Sequence, residues 1–299
     1  VDAEETTVVT QEQWDEVETL RREAAEDPEG ALDDLAMALA VLADRLLELE
    51  RWEESVAVGQ ESVAVLRRLA EGQQDGYLAH LATSLSNLAA ALEEVDRPDE
   101  ALGHRYEAAA VRRRLAQQDP EENLPHLVWA LHNLAVALGE RERPADALVV
   151  AEEAVGVSRE LDRRHPGAFV RELAGSLDDL AYPQGELGRG DEALATTAEA
   201  IALYRRDAEQ YRADLAQALS NFGAYAAESG SPHDALAAIE EATAHYRVLA
   251  HTEPDPHLEN LALALEELAE RLGRVGRGRE QRRVSKEAAA VRDRLGREE

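Results

Sequence analysis

The chain has 299 residues, enough for about two domains or one long repeat array. It carries 32 Lys and Arg against 62 Asp and Glu, a formal charge of −30, which argues against nucleic acid phosphates and anionic membrane surfaces as partners. Cysteine is absent, which removes disulfides, thiolate metal sites and thiol catalysis together, and no apolar run approaches the ~18 residues of a membrane span.

Ala, Leu, Glu and Arg are strong helix formers, whereas Ile occurs only at positions 201 and 239 and aromatics make up 4% of the chain. In chain order, the apolar periodicity predicts a leading helix over 10–26, then the pairs 31–49 with 53–70, 77–95 with 98–117, and 123–141 with 144–162. The pairs 167–187 with 190–208, 210–228 with 231–250, and 255–273 with 277–296 follow. Leu85, Leu88, Ala89 and Leu92 illustrate the stripe, at i, i+3, i+4 and i+7. Short turns separate the members of a pair, such as Asp96-Arg97-Pro98-Asp99 and Gly188-Arg189-Gly190-Asp191. Pro suits the first turn of a following helix and Gly the end of a preceding one. Pro183 falls inside a first helix and is expected to kink or break it near Tyr182.

The pairs repeat. Leu39, Leu85, Leu131, Leu177, Leu219 and Leu265 recur at spacings of 46, 46, 46, 42 and 46 residues. Three residues after them stand Leu42, Leu88, Leu134, Leu180, Phe222 and Leu268, each followed by Ala or Gly. The second helices carry small residues seven apart, Ala101 with Ala108 and Ala147 with Ala154 among them, which admit the first helix closely. At these residues the chain resembles the tetratricopeptide repeat (TPR) family, whose pattern is a large residue, Leu, a small residue, and two Ala at fixed offsets. The resemblance covers residues 31–297. It departs in having Leu at the first large position where Trp is usual, and in its longer period, similar to the kinesin-light-chain type. Gln281 replaces the first Ala of the last repeat, which reads as an end cap.

The resemblance implies an all-α right-handed superhelical solenoid of about six helix pairs behind the leading helix. As one domain over 1–299, its repeats span 31–76, 77–122, 123–168, 169–209, 210–254 and 255–297. Residues 17–39 align with 63–85, so helix 10–26 reads as the second helix of a repeat whose first is missing. The chain opens on Val1, and the expectation is a segment of a longer protein, with a natural capping helix as the alternative. The acidic first ten residues are no secretory signal, and the expected location is the cytoplasm. Arrays resembling this one are common in actinobacterial proteins, in keeping with the preference for Arg over the single Lys286.

No catalytic constellation emerges. The sequence lacks a phosphate-binding P-loop and the H-E-x-x-H motif, and its nine His are scattered, with His126 and His132 six apart and so not convergent on a helix. No metal, cofactor or catalytic residue is expected, and the chain reads as a non-enzymatic scaffold.

What remains is the outward stripe of the first helices. With the first Leu at position 4, positions 4, 7, 8 and 11 turn inward, and 2, 5, 6, 9 and 13 outward. In the family it resembles, that stripe lines the concave, peptide-binding groove. Position 6 holds Asn87, Asn133, Asp179 (beside Asp178) and Asn221; Asn offers a donor and an acceptor to a peptide backbone. Position 13 holds Glu48, Glu94, Glu140, Glu186 and Glu228. A carboxylate at a helix C-terminus opposes the macrodipole, so its recurrence points to a groove that wants negative charge. His132 and Tyr182 are further contact candidates. Trp129 is another, although packing on a neighbouring repeat is the favoured expectation for it. Trp14 and Trp52 read as packing residues.

The partner is therefore expected to be a basic protein or peptide. The alternative is a regulatory or sensor segment of a larger signalling NTPase or protease-like protein, with catalysis encoded outside this chain. Residues 271–297 carry a net charge of +7, which suggests head-to-tail contact between this basic end and the acidic body of another copy.

Overall fold

The computed structural model describes residues 9–71 and 75–298. Among them the protein is all-α: α1 Gln11–Glu26, α2 Pro28–Glu48, α3 Trp52–Glu71, α4 Leu78–Glu94, α5 Pro98–Gln118, α6 Pro120–Glu140 and α7 Pro144–Arg164. Then come α8 Val170–Glu186, α9 Gly190–Tyr204, α10 Arg212–Glu228, α11 Pro232–Thr252, α12 Pro254–Arg274 and α13 Gly278–Glu298. No strand occurs among the described residues. Val1, on which the expectation of an excised segment rests, lies outside them.

Sequence sets the ends of these helices. Thr10 closes a capping box on α1: its hydroxyl accepts from the Gln13 amide and the Gln13 side chain accepts from the Thr10 amide at 3.0 Å. Pro28, Pro120 and Pro254 open first helices one to three residues earlier than the periodicity predicts, because a first-turn residue has no helical partner for its missing N–H. Two prolines sit inside helices, Pro125 in α6 and Pro183 in α8. Pro183 does not break α8 as expected. It lies in the last turn, where only one amide is lost, and the Leu187 amide still reaches the Pro183 carbonyl at 3.1 Å. The irregularity of this region falls later. α9 stops at Tyr204 and passes into a 3₁₀ turn over Arg205–Asp207, within the one shortened repeat.

Packing divides the chain into two compact units, Val1–Ala137 and Leu138–Glu299. In the first, α2 packs on α1, α3 and α4, and α4 on α3 and α5; in the second, each helix from α7 to α13 packs on the next, and α8 also touches α10. The repeat register holds in both. Leu39, Leu85, Leu131, Leu177 and Leu265 are buried, as are Leu42, Leu88, Leu134, Leu180 and Leu268, whereas Phe222 is half-buried. Ala101, Ala108, Ala147, Ala154, Ala193 and Ala200 are buried where second helices meet their first. Buried serines pair across helices: the Ser62 and Ser84 hydroxyls join α3 to α4 at 3.3 Å, and Ser158 and Ser176 join α7 to α8 at 2.8 Å.

Two devices recur that periodicity does not show. At the end of each first helix one residue takes a left-handed φ: Glu50, Asp96, Glu142, Gly188, Gly230 and Gly276. The next amide then bonds back to a helix carbonyl, as Arg97 to Leu92 at 2.8 Å and Arg277 to Leu272 at 2.9 Å, satisfying acceptors the helix leaves open. The same Arg reaches forward over the turn to a carboxylate three residues on, as Arg97 to Glu100 and Arg189 to Glu192, both at 2.7 Å. The second device joins successive second helices. Arg21 pairs with Glu61 at 2.9 Å and Arg67 with Glu107 at 2.8 Å in the first unit. Arg159–Glu199, Arg205–Glu241 (Arg205 in the 3₁₀ turn just past α9) and Arg247–Glu287 follow in the second unit at 2.9, 2.7 and 2.7 Å. Each such surface pair contributes up to about 1 kcal/mol.

Candidate functional site

The position-13 carboxylates are the last residues of their helices: Glu48 of α2, Glu94 of α4, Glu140 of α6, Glu186 of α8 and Glu228 of α10. All five are exposed. Glu48 is held by Arg45 at 2.6 Å, and Glu140 lies 3.9 Å from Arg141. Each helix therefore ends with a negative charge beside its own unfilled carbonyls, an arrangement that local stability does not favour.

In the first unit, Asn87 of α4 donates from Nδ2 to Asp44 of α2 at 2.8 Å. Burial, then repulsion by Glu48, raises the Asp44 pKa, and the Asn87 bond opposes them. Asn133 turns back on its own helix and donates to the Trp129 carbonyl at 3.0 Å. Trp129 does not pack away as expected: it is 54% exposed, with Val136 at 43% and His132 exposed on the same helix. Positions 129, 132, 133 and 136 form one outward stripe, i, i+3, i+4 and i+7, so the ring stands in solvent at one end of a mixed aromatic and polar strip.

In the second unit the predicted residues gather around one the sequence reading missed, Tyr225 of α10. Burial pushes its hydroxyl up to about 12, and Asp178, Glu228, Glu186 and Tyr182 add to that shift through their charges. Two tyrosines lie on glycines of other first helices. A Cβ at Gly139 would stand 3.0 Å from the Tyr182 ring, and one at Gly185 would stand 2.6 Å from the Tyr225 ring. The glycines make room for rings that cross from one first helix to another, and Tyr182 remains 48% exposed there. The available signal was Tyr at positions 9 and 10 with Gly at position 12.

Asp178 is drawn inward. Tyr204, buried at the end of α9, donates to its Oδ2 at 3.1 Å, while Oδ1 is buried without a hydrogen-bond partner. Burial raises the carboxyl to about 7; the Tyr204 bond opposes this, and Asp179 and Asp214 add to it. Asp179 is half-buried beside it. Asn221 accepts from Gln217 at 3.0 Å, whose own oxygen accepts from Tyr246 at 3.1 Å. Glu228 also borders an open cleft of about 590 Å³ with the α8–α9 turn. Among the described residues no cluster of His, Asp and Glu could hold a metal ion, and no helix is long and apolar enough to cross a membrane.

Paired helices, small residues between them and one outward stripe define an all-α helical-repeat protein. Residues 81–122 and 127–166 match the tetratricopeptide repeat family, and the helix pairs there are tetratricopeptide repeats. No curated protein matches it significantly. Among solved structures it is similar to BtubC (BKLC) from P. vanneervenii, at 21% identity over 83% of this chain and 93% of that one, with a TM-score of 0.61. It is also similar to a putative kinesin light chain with nearly identical TPR-like repeats from Podosopora anserina, at 18% identity over 71% and 95% of the two chains, TM-score 0.53. A Signal Transduction ATPase with Numerous Domains (STAND) that has a tetratricopeptide repeat sensor, from Pyrococcus horikoshii, superposes with a TM-score of 0.67 at 12% identity. That match covers 93% of this chain and 41% of the ATPase.

Proposed function

We propose that this protein is a non-catalytic interaction scaffold that holds a basic peptide or protein segment along the outward stripe of its first helices. The observation that carries this reading is the pairing of large half-exposed rings with exposed helix-end acids. Trp129 and Tyr182 stand 54% and 48% exposed on helices that end in Glu140 and Glu186. Aromatic anchors beside a charged rim are the anatomy of a binding surface. Asn87, Asn133 and Asn221 lie on the same stripe and supply amide donors and acceptors for a peptide backbone.

The second reading is a sensor segment of a larger signalling ATPase whose catalytic module lies outside this chain. Its support is the similarity to the sensor-bearing STAND protein, of which this chain covers 41%. Both readings assign the chain to the cytoplasm, where a peptide-binding scaffold or an ATP-driven switch would work.

An array of extended peptides of randomised sequence tests the scaffold reading. The wild-type chain is expected to retain peptides rich in Lys and Arg beside an apolar residue. The triple variant Glu94→Gln, Glu140→Gln, Glu186→Gln is expected to bind them about tenfold or more weakly, with a flatter salt dependence, because salt screens exposed charges. Equal affinity and equal salt slope in the two proteins would overturn the acidic-groove reading.

A further inference from the structure

Among the second helices α9 is the short one. It runs for 15 residues, whereas α3 has 20 and α5, α7, α11 and α13 have 21 each. Ending early shortens the wall opposite the last turn of α7, and the 3₁₀ turn over Arg205–Asp207 stands in its place. There the surface between α7 and α9 opens into a cleft of about 430 Å³. Arg159 and Arg163 of α7 line one wall, and Glu199 and Arg206 the other. Leu173 of α8 and Leu203 of α9, each 6% exposed, form the floor. No residue of the outward stripe lines it.

The cleft is basic in a chain of formal charge −30. It holds three guanidiniums against two carboxylates, Glu199 and Asp162, and both acids are already engaged. Arg159 donates to both oxygens of Glu199, at 2.9 and 3.1 Å, and the Gly167 amide donates to Asp162 at 3.0 Å. The other two cations are less well matched. Arg163 shares the carboxylate of Glu160 with Arg164, and Arg206 has no acid partner among the described residues. Arg163 stands where α3, α5 and α11 carry Glu71, Gln117 and His251, so a guanidinium at this place is particular to this groove. The helix dipole favours a cation there but does not demand one, since the last turn of α5 has no basic residue.

We propose that the α7–α9 cleft binds an acidic segment of another protein, with carboxylates on Arg163 and Arg206 and an aliphatic side chain between them on Leu173 and Leu203. A guanidinium presents paired N–H donors that match the two oxygens of a carboxylate, and two such groups on opposite walls fix the spacing of the acids they accept. The acidic body repels the segment from most other places, which steers it to the few basic ones. A second copy of this chain is a poor occupant, because it brings a whole charge of −30 against its own like.

The probe is a dye-labelled synthetic peptide of alternating Glu and Leu, with a Gln and Leu peptide of the same pattern as control, followed by fluorescence anisotropy at low salt. The Glu/Leu peptide is expected to bind with a Kd of ~100 µM or tighter, and the Gln/Leu peptide about tenfold or more weakly. The double variant Arg163→Gln, Arg206→Gln should weaken the Glu/Leu peptide about tenfold or more. Ala202→Glu, which sets a carboxylate in the cleft lining, should do the same. The double variant Arg282→Gln, Arg283→Gln removes equal charge from α13 and should leave the affinity unchanged. All these positions are exposed, and an unchanged helical circular dichroism spectrum confirms that each variant is folded. No binding, equal binding of the Gln/Leu peptide, or full affinity in the Arg163 and Arg206 variant would overturn the proposal. So would an equal loss in the Arg282 and Arg283 variant, which would place the acidic segment on the basic C-terminal helix. Sedimentation of the free protein as a dimer that the Arg163 and Arg206 variant abolishes would overturn it too, by making a second copy the occupant.

Discussion

Replacing Asp178 by Asn should stabilise the second unit, and more so as pH rises. The carboxyl is pushed from 3.8 to about 7, chiefly by burial, despite its hydrogen bond from Tyr204. In the unfolded chain it ionises near 3.8. A raised folded pKa means that the stability this group contributes is fully present below pH 3.8 and is lost as pH climbs through about 7. The full difference corresponds to about 4 kcal/mol, at 1.36 kcal/mol per unit of pKa. An amide has the shape of the neutral acid, keeps an oxygen for the Tyr204 hydroxyl, and does not ionise. Near pH 4 the variant and the wild type should therefore melt together. Near pH 8 the variant should gain about 2–4 kcal/mol, or roughly 5–10 °C in Tm. Thermal unfolding of both proteins across that range isolates the effect, because other carboxylates titrate equally in each. A difference in Tm that does not change with pH, or an Asn variant less stable near pH 8, would refute the assignment of a buried, protonated Asp178.

The groove and cleft experiments above give two further predictions, and the repeated devices give two more. Arg67→Glu should destabilise the first unit by about 1 kcal/mol, and adding Glu107→Arg should restore most of it; urea unfolding in a double-mutant cycle measures the coupling, and no restoration would mean that the second helices are not joined by this pair. Asp96, at φ 56°, holds a left-handed turn that the three later repeats from Gly188 on fill with Gly, so Asp96→Gly should raise stability by about 0.5–1 kcal/mol, whereas Gly230→Ala, at φ 79°, should lower it by a similar amount. The urea midpoints should move in opposite directions.

Covalent periodicity made most of the fold legible. A helix turns a fixed angle per residue, so Leu85, Leu88, Ala89 and Leu92 declare one buried face without any neighbour, and their return after 46 residues declares the pair as a unit. The helix-end glutamates were legible as a pattern for the same reason. What depended on distance along the chain was not. Arg67 and Glu107 are 40 residues apart, a spacing that is not the repeat period and acquires meaning only when two second helices lie side by side. Trp129 was expected to pack, and only the placement of α6 leaves it in solvent. Pro183 was expected to kink or break α8; α8 runs through it, and its position in the last turn limits the loss to one amide. Asp178 and Asp179 are alike in sequence. Tertiary structure separates them by aiming the first at Tyr204 in a buried setting, where desolvation, a property of surroundings and not of residue type, changes its charge.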